Sequence, residues 1–501
     1  MDRSSGVLLH IATLPGKYGI GQLGESSRKF VDFLSLSGQS YWQVLPLVPT
    51  GYGDSPYQSV CSYAGSEYFI DLDTLSAAGL LTAGELNDCT TPPDSRINYE
   101  WLYRTRFGVL RRAFSRFDRS DATFAAFLKK GEYADYALFR AVKDFCGGRP
   151  WNEWPDELRF RDEAALSVFA AEHAEDLLFW QWAQYEFDRQ WTGLRDYAHS
   201  KGIRIIGDMP IYLAYDSVEC WKNPGMVKLD ASLTPVVVAG CPPDAFCDTG
   251  QLWGNPVYDW ERMKADGYAW WKQRLRKCFS LFDVVRIDHF RGFDRYYEIP
   301  YGEPTAVNGK WMPGPSAELF EEIEKDMGRI EVIAEDLGDL DDSARAMFAR
   351  VGYPGMKVLQ FAFGSGPDNE YLPHNYRDSN CVVYTGTHDN DTLMGFIKGL
   401  GGERARLSDA VSEELTVCGL SMPLGTDEEL CDAIIELAFA SKAECAMLPM
   451  QDWLKIGGEG RINMPSTLSP DNWSYRIPAT YTDGDAGRRM SALASEYGRR
   501  Q

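Results

Sequence analysis

Short apolar segments, rich in β-branched and aromatic residues, recur along the chain, and many of them end on polar residues. Continuous apolar runs of this length are typical of parallel strands that are buried on both faces. The segments that fit are Gly6–Ile11, Tyr41–Leu47, Arg204–Asp208, Val284–Asp288, Glu331–Glu335, Met356–Phe363, Cys381–Thr387 and Cys445–Gln451. The pattern therefore predicts eight buried parallel strands.

Helical patterns lie between several of these strands, at Glu175–Ser200, Tyr268–Phe282 and Pro315–Gly328. The first repeats its large apolar residues at helical spacing, and Gly202 is a stop signal before the next strand. Strands that alternate with helices eight times predict an α/β protein, folded as a (β/α)8 TIM barrel.

A minimal barrel needs roughly 250 residues, and this chain has 501. We predict a single catalytic barrel over residues 1–501, with the surplus inserted in its βα connections. Residues 84–165 are expected to form a mostly helical subdomain. Residues 213–265 are expected to form a loop region over the cleft, and residues 395–444 a helical insertion.

The excess of acidic over basic residues excludes some classes of binding partner. Lys and Arg total 51 and Asp and Glu total 73, which gives a formal charge of −22. A protein that binds a nucleic acid backbone or an anionic membrane surface needs clustered basic residues, so we expect neither partner. A neutral substrate such as a sugar is compatible with the acidity, and the oligomeric state stays open.

Cysteine usage and hydropathy predict a cytoplasmic protein. The eleven cysteines include no CxxC pair, and their scatter suggests reduced thiols. The first residues do not form a convincing signal peptide, and no run of 18 apolar residues predicts a membrane-spanning helix.

Carboxylates stand at the ends of three predicted strands, where barrel enzymes carry their reactive groups. Asp288, Glu335 and Asp389 lie in the segments RIDH, AEDLG and THDN. Arg286 is two residues before Asp288 and points the same way on a strand, which favours an ionised nucleophile. Glycoside cleavage needs one ionised carboxyl and one that holds a proton, so we expect a raised pKa for Glu335.

These segments also carry a family resemblance. VRIDHFRG, IAEDLG and YTGTHDND resemble the strand-four, strand-five and strand-seven motifs of the α-amylase clan. Five further stretches resemble the amylomaltase or disproportionating enzyme family, family 77 of the glycoside hydrolases. They are GYGDSPYQS (51–59), GDMPIYLAYDS (207–217), PPDAFCDTGQLWGNPVYDW (242–260), LPHNY (372–376) and GRINMPST (460–467).

The resemblance implies transfer of part of an α-1,4-glucan, such as a maltooligosaccharide donor, to the 4-hydroxyl of a sugar acceptor. It implies that Asp288 is the nucleophile, Glu335 the acid/base and Asp389 the third carboxylate, which holds sugar hydroxyls. It implies glucan contacts at Ser55, Tyr57, Asp208, Gln251, Trp253, Asn255, Arg286, His388 and Asn463. The glycines beside Trp253 suggest a loop, on which the indole ring could stack against a sugar.

No cofactor or metal is expected. Hydrolytic amylases usually continue their strand-three motif from Asp to an Asn-His pair that helps to hold calcium. Here Asp208 is followed by Met-Pro-Ile and then Tyr212 and Leu213. The six histidines form no HxH or HExxH cluster, which argues against a metal-dependent hydrolase.

Two further alternatives remain at this stage. The first is a retaining α-glucan hydrolase of the α-amylase type, in which water replaces the sugar acceptor at the same carboxylates. The second is a catalytically inactive glucan-binding protein, which the presence of all three carboxylates disfavours.

Overall fold

A computed structural model describes residues 3–243, 247–338 and 340–500. Its central element is a parallel sheet of eight short strands. In chain order these are β1 (Ser4–Leu8), β2 (Tyr41–Gln43), β3 (Arg204–Met209), β6 (Val284–Ile287), β9 (Val332–Ala334), β10 (Gly355–Val358), β11 (Cys381–Tyr384) and β12 (Cys445–Pro449).

The sheet curls into a barrel. Hydrogen-bonded neighbours follow the order β10-β11-β12-β1-β2-β3-β6-β9, and every pairing in this series is parallel. The ends of the series, β9 and β10, meet where the Ala334 N–H donates to the Pro354 carbonyl at 2.9 Å. The predicted (β/α)8 barrel is confirmed, and the carboxyl ends of all eight strands open on one rim.

Helices surround the barrel and fill the long connections. In the described residues they are α1 (Glu25–Leu36), α2 (Leu72–Ala77), α3 (Ala83–Asn87), α4 (Tyr99–Arg116), α5 (Ala122–Lys129), α6 (Ala134–Phe145), α7 (Asp156–Arg159), α8 (Glu163–Glu172), α9 (Ala174–Ser200), α10 (Val218–Lys222), α11 (Trp260–Ala265), α12 (Ala269–Leu281), α13 (Ser316–Met327), α14 (Asp342–Val351), α15 (Leu393–Gly399), α16 (Arg404–Val417), α17 (Asp427–Ala440), α18 (Met450–Trp453) and α19 (Ala486–Glu496). Residues 84–165 and 395–444 contain mainly helix, although their standing as separate inserted units stays a prediction.

The region 213–265 differs from the expected loop. It contains β4 (Val237–Cys241) and β5 (Gln251–Pro256), which join β7 (Arg295–Pro300) and β8 (Lys310–Pro313) in an antiparallel sheet of order β5-β4-β7-β8. We call these four strands the accessory sheet. Residues 244–246 of the connection between β4 and β5 lie outside the described residues.

Candidate active site

The floor of the site is an ion pair between two neighbouring barrel strands. Asp208 of β3 and Arg286 of β6 are register partners, and Arg286 Nη1 donates to both carboxylate oxygens of Asp208, at 2.8 and 2.6 Å. Tyr57 donates its hydroxyl to Asp208 Oδ2 at 2.6 Å. The Asp208 side chain is fully buried and that of Arg286 is 4% exposed, so this layer supports the site from below.

The same guanidinium reaches two further carboxyl groups at the rim. Arg286 Nη2 lies 3.0 Å from Asp288 Oδ1 and 2.9 Å from Glu335 Oε2. Both carboxyls follow the ends of paired strands, β6 and β9, and each is partly open to solvent. Because one nitrogen contacts both oxygens, these oxygens are at most about 6 Å apart, which is closer than the roughly 6.5–9.5 Å between the carboxyls of inverting glycosidases.

The pKa shifts of the two carboxyls run in the opposite direction to the sequence-based expectation. Burial and the neighbouring Glu335 carboxyl raise the pKa of Asp288 well above its usual range. Burial acts in the same direction on Glu335, but Arg286, the hydrogen bond with Asp288 and the His289 N–H together hold the pKa of Glu335 below its usual value. That N–H donates to Glu335 Oε2 at 2.7 Å. The expected raised pKa of Glu335 is wrong for this geometry, because its oxygen collects more donors than Asp288 does.

The third carboxylate follows another barrel strand, β11, and lines the same cleft. Asp389, whose side chain is 44% exposed, accepts a hydrogen bond from Asn463 Nδ2 at 2.6 Å. His388 Nε2 is 3.5 Å from Asp389 Oδ2, and its ring stacks on Tyr57 with centroids 4.9 Å apart. Arg461 Nη2 donates to the Asp389 carbonyl at 2.7 Å. Asp389 is thus held from both sides and keeps an open edge toward the cleft.

Trp253 forms part of the cleft wall, but it lies on strand β5 of the accessory sheet and not on the expected loop. Its indole Nε1 donates to Gln251 Oε1 at 3.0 Å. Its ring meets the His289 ring edge-on, with centroids 4.9 Å apart. The accessory sheet therefore brings an aromatic ring next to the residue that follows Asp288.

A single cleft of about 760 Å³ collects most of the predicted site residues. Those that line it are Ser55, Tyr57, Gln251, Trp253, Asn255, Asp288, Glu335, His388, Asp389 and Asn463. Asp208 and Arg286 lie beneath it. Asn255 is only 5% exposed, and its amide is engaged with the Leu213 carbonyl at 2.8 Å and with the Gln58 side chain.

His289 and Trp473 line the cleft with the predicted residues but were not predicted from the sequence. His289 supplies the N–H to Glu335 and adopts a left-handed backbone conformation with φ 49°, which is uncommon for a non-glycine residue. Trp473 has its ring 5.8 Å from Tyr57 and 5.9 Å from His388. His289 directly follows Asp288 in the chain and could have been found, whereas Trp473 carries no local signal.

The described residues contain neither a cluster of metal-binding side chains nor a helix that could span a membrane. Nowhere in the ranges 3–243, 247–338 and 340–500 do three or more His, Cys, Asp or Glu side chains form a group that could hold a metal ion. Across the same residues, no helix is long and apolar enough to cross a membrane.

A (β/α)8 barrel whose rim carries a pair of neighbouring carboxyls, with a third carboxylate and aromatic rings lining the same cleft, has the arrangement of an enzyme that acts on glycosidic bonds. Comparison with known proteins identifies the family. Residues 9–481 match family 77 of the glycoside hydrolases, described as 4-alpha-glucanotransferase, and the chain belongs to this family.

Individual relatives are similar to this chain along nearly its full length. A 4-alpha-glucanotransferase of Clostridium butyricum is 43% identical over 98% of this chain and 100% of its own. One of Thermus thermophilus is 44% identical over 99% and 98%. Among solved structures, the amylomaltase of Streptococcus agalactiae in complex with acarbose superposes with a TM-score of 0.94, at 35% identity and with complete coverage of both chains.

Proposed function

We propose that this enzyme transfers a segment of an α-1,4-glucan to the 4-hydroxyl of another glucan or of glucose, with retention of the α configuration. The observation that carries the proposal is the contact of one guanidinium, Arg286, with Asp208, Asp288 and Glu335 at the mouth of the barrel. Membership of the 4-alpha-glucanotransferase family supports transfer as the outcome.

In the proposed first half-reaction, a proton passes from Asp288 to Glu335 through the hydrogen bond between them. Asp288 is then an ionised nucleophile and Glu335 a general acid. An Asp288 oxygen attacks the anomeric carbon of the donor while the glycosidic bond breaks, and Glu335 gives its proton to the departing 4-oxygen. The products are a glucan with a new non-reducing end and a glycosyl ester on Asp288.

In the second half-reaction, Glu335 removes the proton from the 4-hydroxyl of the acceptor. The acceptor oxygen attacks the anomeric carbon, and the Asp288 carboxylate leaves. Two inversions restore the α linkage, and return of the proton from Glu335 to Asp288 through their hydrogen bond brings both carboxyls back to their starting state.

The remaining site residues bind the glucan in this proposal. The open edge of Asp389, held by Asn463, accepts sugar hydroxyls at the subsite of cleavage. Trp253 and Gln251 on β5 contact the acceptor side, while Tyr57, Ser55 and His388 line the cleft beside the reacting carbon. Asp208, Arg286 and Asn255 are expected to act from beneath, because their polar atoms are already engaged by protein groups.

The enzyme is proposed to work in the cytoplasm without a cofactor or metal. Buried thiols such as those of Cys220, Cys431 and Cys445 form no disulfide, which suits a reducing compartment. The acidic charge of −22 makes nucleic acid and anionic membrane surfaces poor partners.

The test is incubation with maltotriose as the only sugar, followed by chromatography of the products. Transfer gives glucose together with a ladder of maltodextrins longer than the substrate. Hydrolysis gives only shorter sugars and would overturn the proposal. Asp288→Asn is the control, since it keeps the shape of the side chain and should abolish both series.

A further inference from the structure

The barrel has a seam next to Glu335. All other neighbouring barrel strands are joined by ladders of backbone hydrogen bonds. Between β9 and β10, the described backbone contact is the single bond from the Ala334 N–H to the Pro354 carbonyl. Glu335 is the next residue after Ala334, so the backbone that carries it leaves the sheet at the barrel's least paired junction.

A side chain completes this junction. Asp336 Oδ1 accepts a hydrogen bond from the backbone N–H of Met356, on β10, at 2.6 Å. Asp336 Oδ2 lies against Gly355, where a Cβ atom would stand only 2.2 Å from it. The carboxylate thus takes a place that a β-ladder would give to a carbonyl, and the absence of a side chain at position 355 makes room for it.

Met356 connects the same junction to the reacting groups. Its Sδ atom is 3.5 Å from Arg286 Nε, and Arg286 Nη2 contacts both Asp288 and Glu335. Asp336 is therefore connected to the catalytic pair in two ways. It is bonded to Glu335 in the backbone, and it binds Met356, which contacts Arg286. Burial raises the pKa of Asp336 to about 6, so the carboxyl is mainly ionised at neutral pH and accepts the N–H as a charged group.

We propose that Asp336 is a positioning residue for the acid/base Glu335. By accepting the Met356 N–H, it fixes the backbone that carries Glu335 and holds the carboxyl at the position from which it protonates the leaving oxygen. The inference rests on the proposed role of Glu335. A merely structural role for Asp336 would stabilise the barrel without favouring any step of the reaction.

The experiment compares two donors that differ in their need for an acid. Maltotriose has a poor leaving group that requires protonation, whereas the fluoride of α-glucosyl fluoride leaves without it. Asp336→Ala removes the acceptor, and Asp336→Asn retains an acceptor oxygen. For each variant, kcat and KM on maltotriose, the rate of the first turnover with the fluoride, and Tm are measured.

The matched control is Asp283→Ala. Asp283 Oδ2 accepts the backbone N–H of Ile205 at 2.7 Å, and so joins β6 and β3 at the opposite end of the barrel. This substitution removes the same kind of bond far from the rim. It should lower Tm and leave the ratio of the two rates unchanged.

Asp336→Ala is expected to lower kcat on maltotriose by about 10- to 100-fold, because small misplacement of a catalytic group costs on this scale. KM and the first turnover of the fluoride should each stay within roughly threefold of wild type. The loss of kcat on maltotriose in Asp336→Asn should lie between those of wild type and Asp336→Ala, and it should again exceed the loss on the fluoride. If Asp336→Ala does not fold, the Asp336→Asn result tests the proposal.

Equal losses on both donors, or an unchanged rate on maltotriose, would overturn the positioning role. Failure of the proposed function is a separate result. In that case wild type would not elongate maltotriose, or Glu335→Gln would affect both donors equally, whatever the behaviour of Asp336.

Discussion

Arg286 balances the charges of the site. It contacts three carboxyl groups with one positive charge, and its side chain is almost completely buried. Neighbouring carboxylates disfavour each other's ionised form, and burial together with this repulsion raises the pKa of Asp288. A retaining enzyme needs one proton on such a pair, since one carboxyl must attack while the other donates.

Arg286→Lys tests this arrangement. A lysine keeps the charge, but its single ammonium cannot reach Asp208 and both rim carboxyls in the planar fork of an arginine. We expect kcat on maltotriose to fall by roughly 10²-fold or more, as measured by steady-state kinetics. Arg106→Lys is the control, because Arg106 is equally buried and donates to the carbonyls of Tyr18 and Tyr68. It should reduce stability and leave activity on the remaining folded enzyme unchanged.

Asp54 gives a prediction about stability and pH. Burial raises its pKa to about 6, above the roughly 3.9 of an unfolded chain. Between these values the folded state binds more protons, so Asp54 lowers stability as the pH rises from about 4 to 6, and the full cost persists above that. Its φ of 59° is tolerated by asparagine.

Asp54→Asn should therefore raise Tm at pH 7.5, by roughly 1–3 °C, and the difference should vanish below about pH 4. Thermal unfolding at the two pH values measures it. Asp118→Asn should behave oppositely, because hydrogen bonds from the Ser120 side chain and N–H lower the pKa of Asp118. A lower Tm for Asp54→Asn at pH 7.5 would contradict the account.

Among the secondary-structure elements, the accessory sheet was not predicted by the pattern of apolar runs that predicted the barrel. The eight apolar runs identified the barrel strands, although several were predicted to continue too far. Tyr41–Leu47 is strand only to Gln43, and Met356–Phe363 turns into a 3₁₀ segment at Leu359. Each strand ends at the rim of the barrel, where the following residues line the cleft. Because those residues include apolar ones, hydrophobicity alone does not show where the strand ends.

The strands of the accessory sheet were not predicted for a different reason. β4 pairs with β7, about 60 residues later in the chain, so no short-range turn signal links them. Trp253 was expected on a loop for another reason, the glycines Gly250 and Gly254 beside it, although its strand β5 pairs with β4 about ten residues earlier. The motifs with polar residues at strand ends were the informative part of the sequence, because the barrel brings all such ends to one rim.

Trp253→Ala tests whether the accessory sheet favours transfer over hydrolysis. Water is present at about 55 M, so a sugar acceptor succeeds only if it is held in near-attack geometry. Loss of the indole should raise the fraction of turnovers that end in free reducing sugar, with Tm largely unchanged. Trp311→Ala is the control, since Trp311 lies on β8 of the same sheet and packs on Tyr297 away from the cleft. An unchanged ratio in a stable Trp253→Ala enzyme would rule out this role.

At the scale of the whole molecule, the barrel is expected to stand without a structural metal. The basis is the strand-three motif, where Tyr212 and Leu213 occupy the positions of the Asn-His pair. Dialysis against EDTA should leave both the rate on maltotriose and Tm unchanged. A loss that added calcium restores would show that the protein holds a metal after all.

The proposed double displacement depends on a glycosyl ester at Asp288. The most direct measurement uses Glu335→Gln with α-glucosyl fluoride, which can load the enzyme without an acid while the missing base slows release. Mass spectrometry of the quenched and digested protein should find one added hexose on the peptide that contains Asp288. An adduct on another residue, or none in a variant that still releases fluoride, would contradict the double displacement proposed for this barrel.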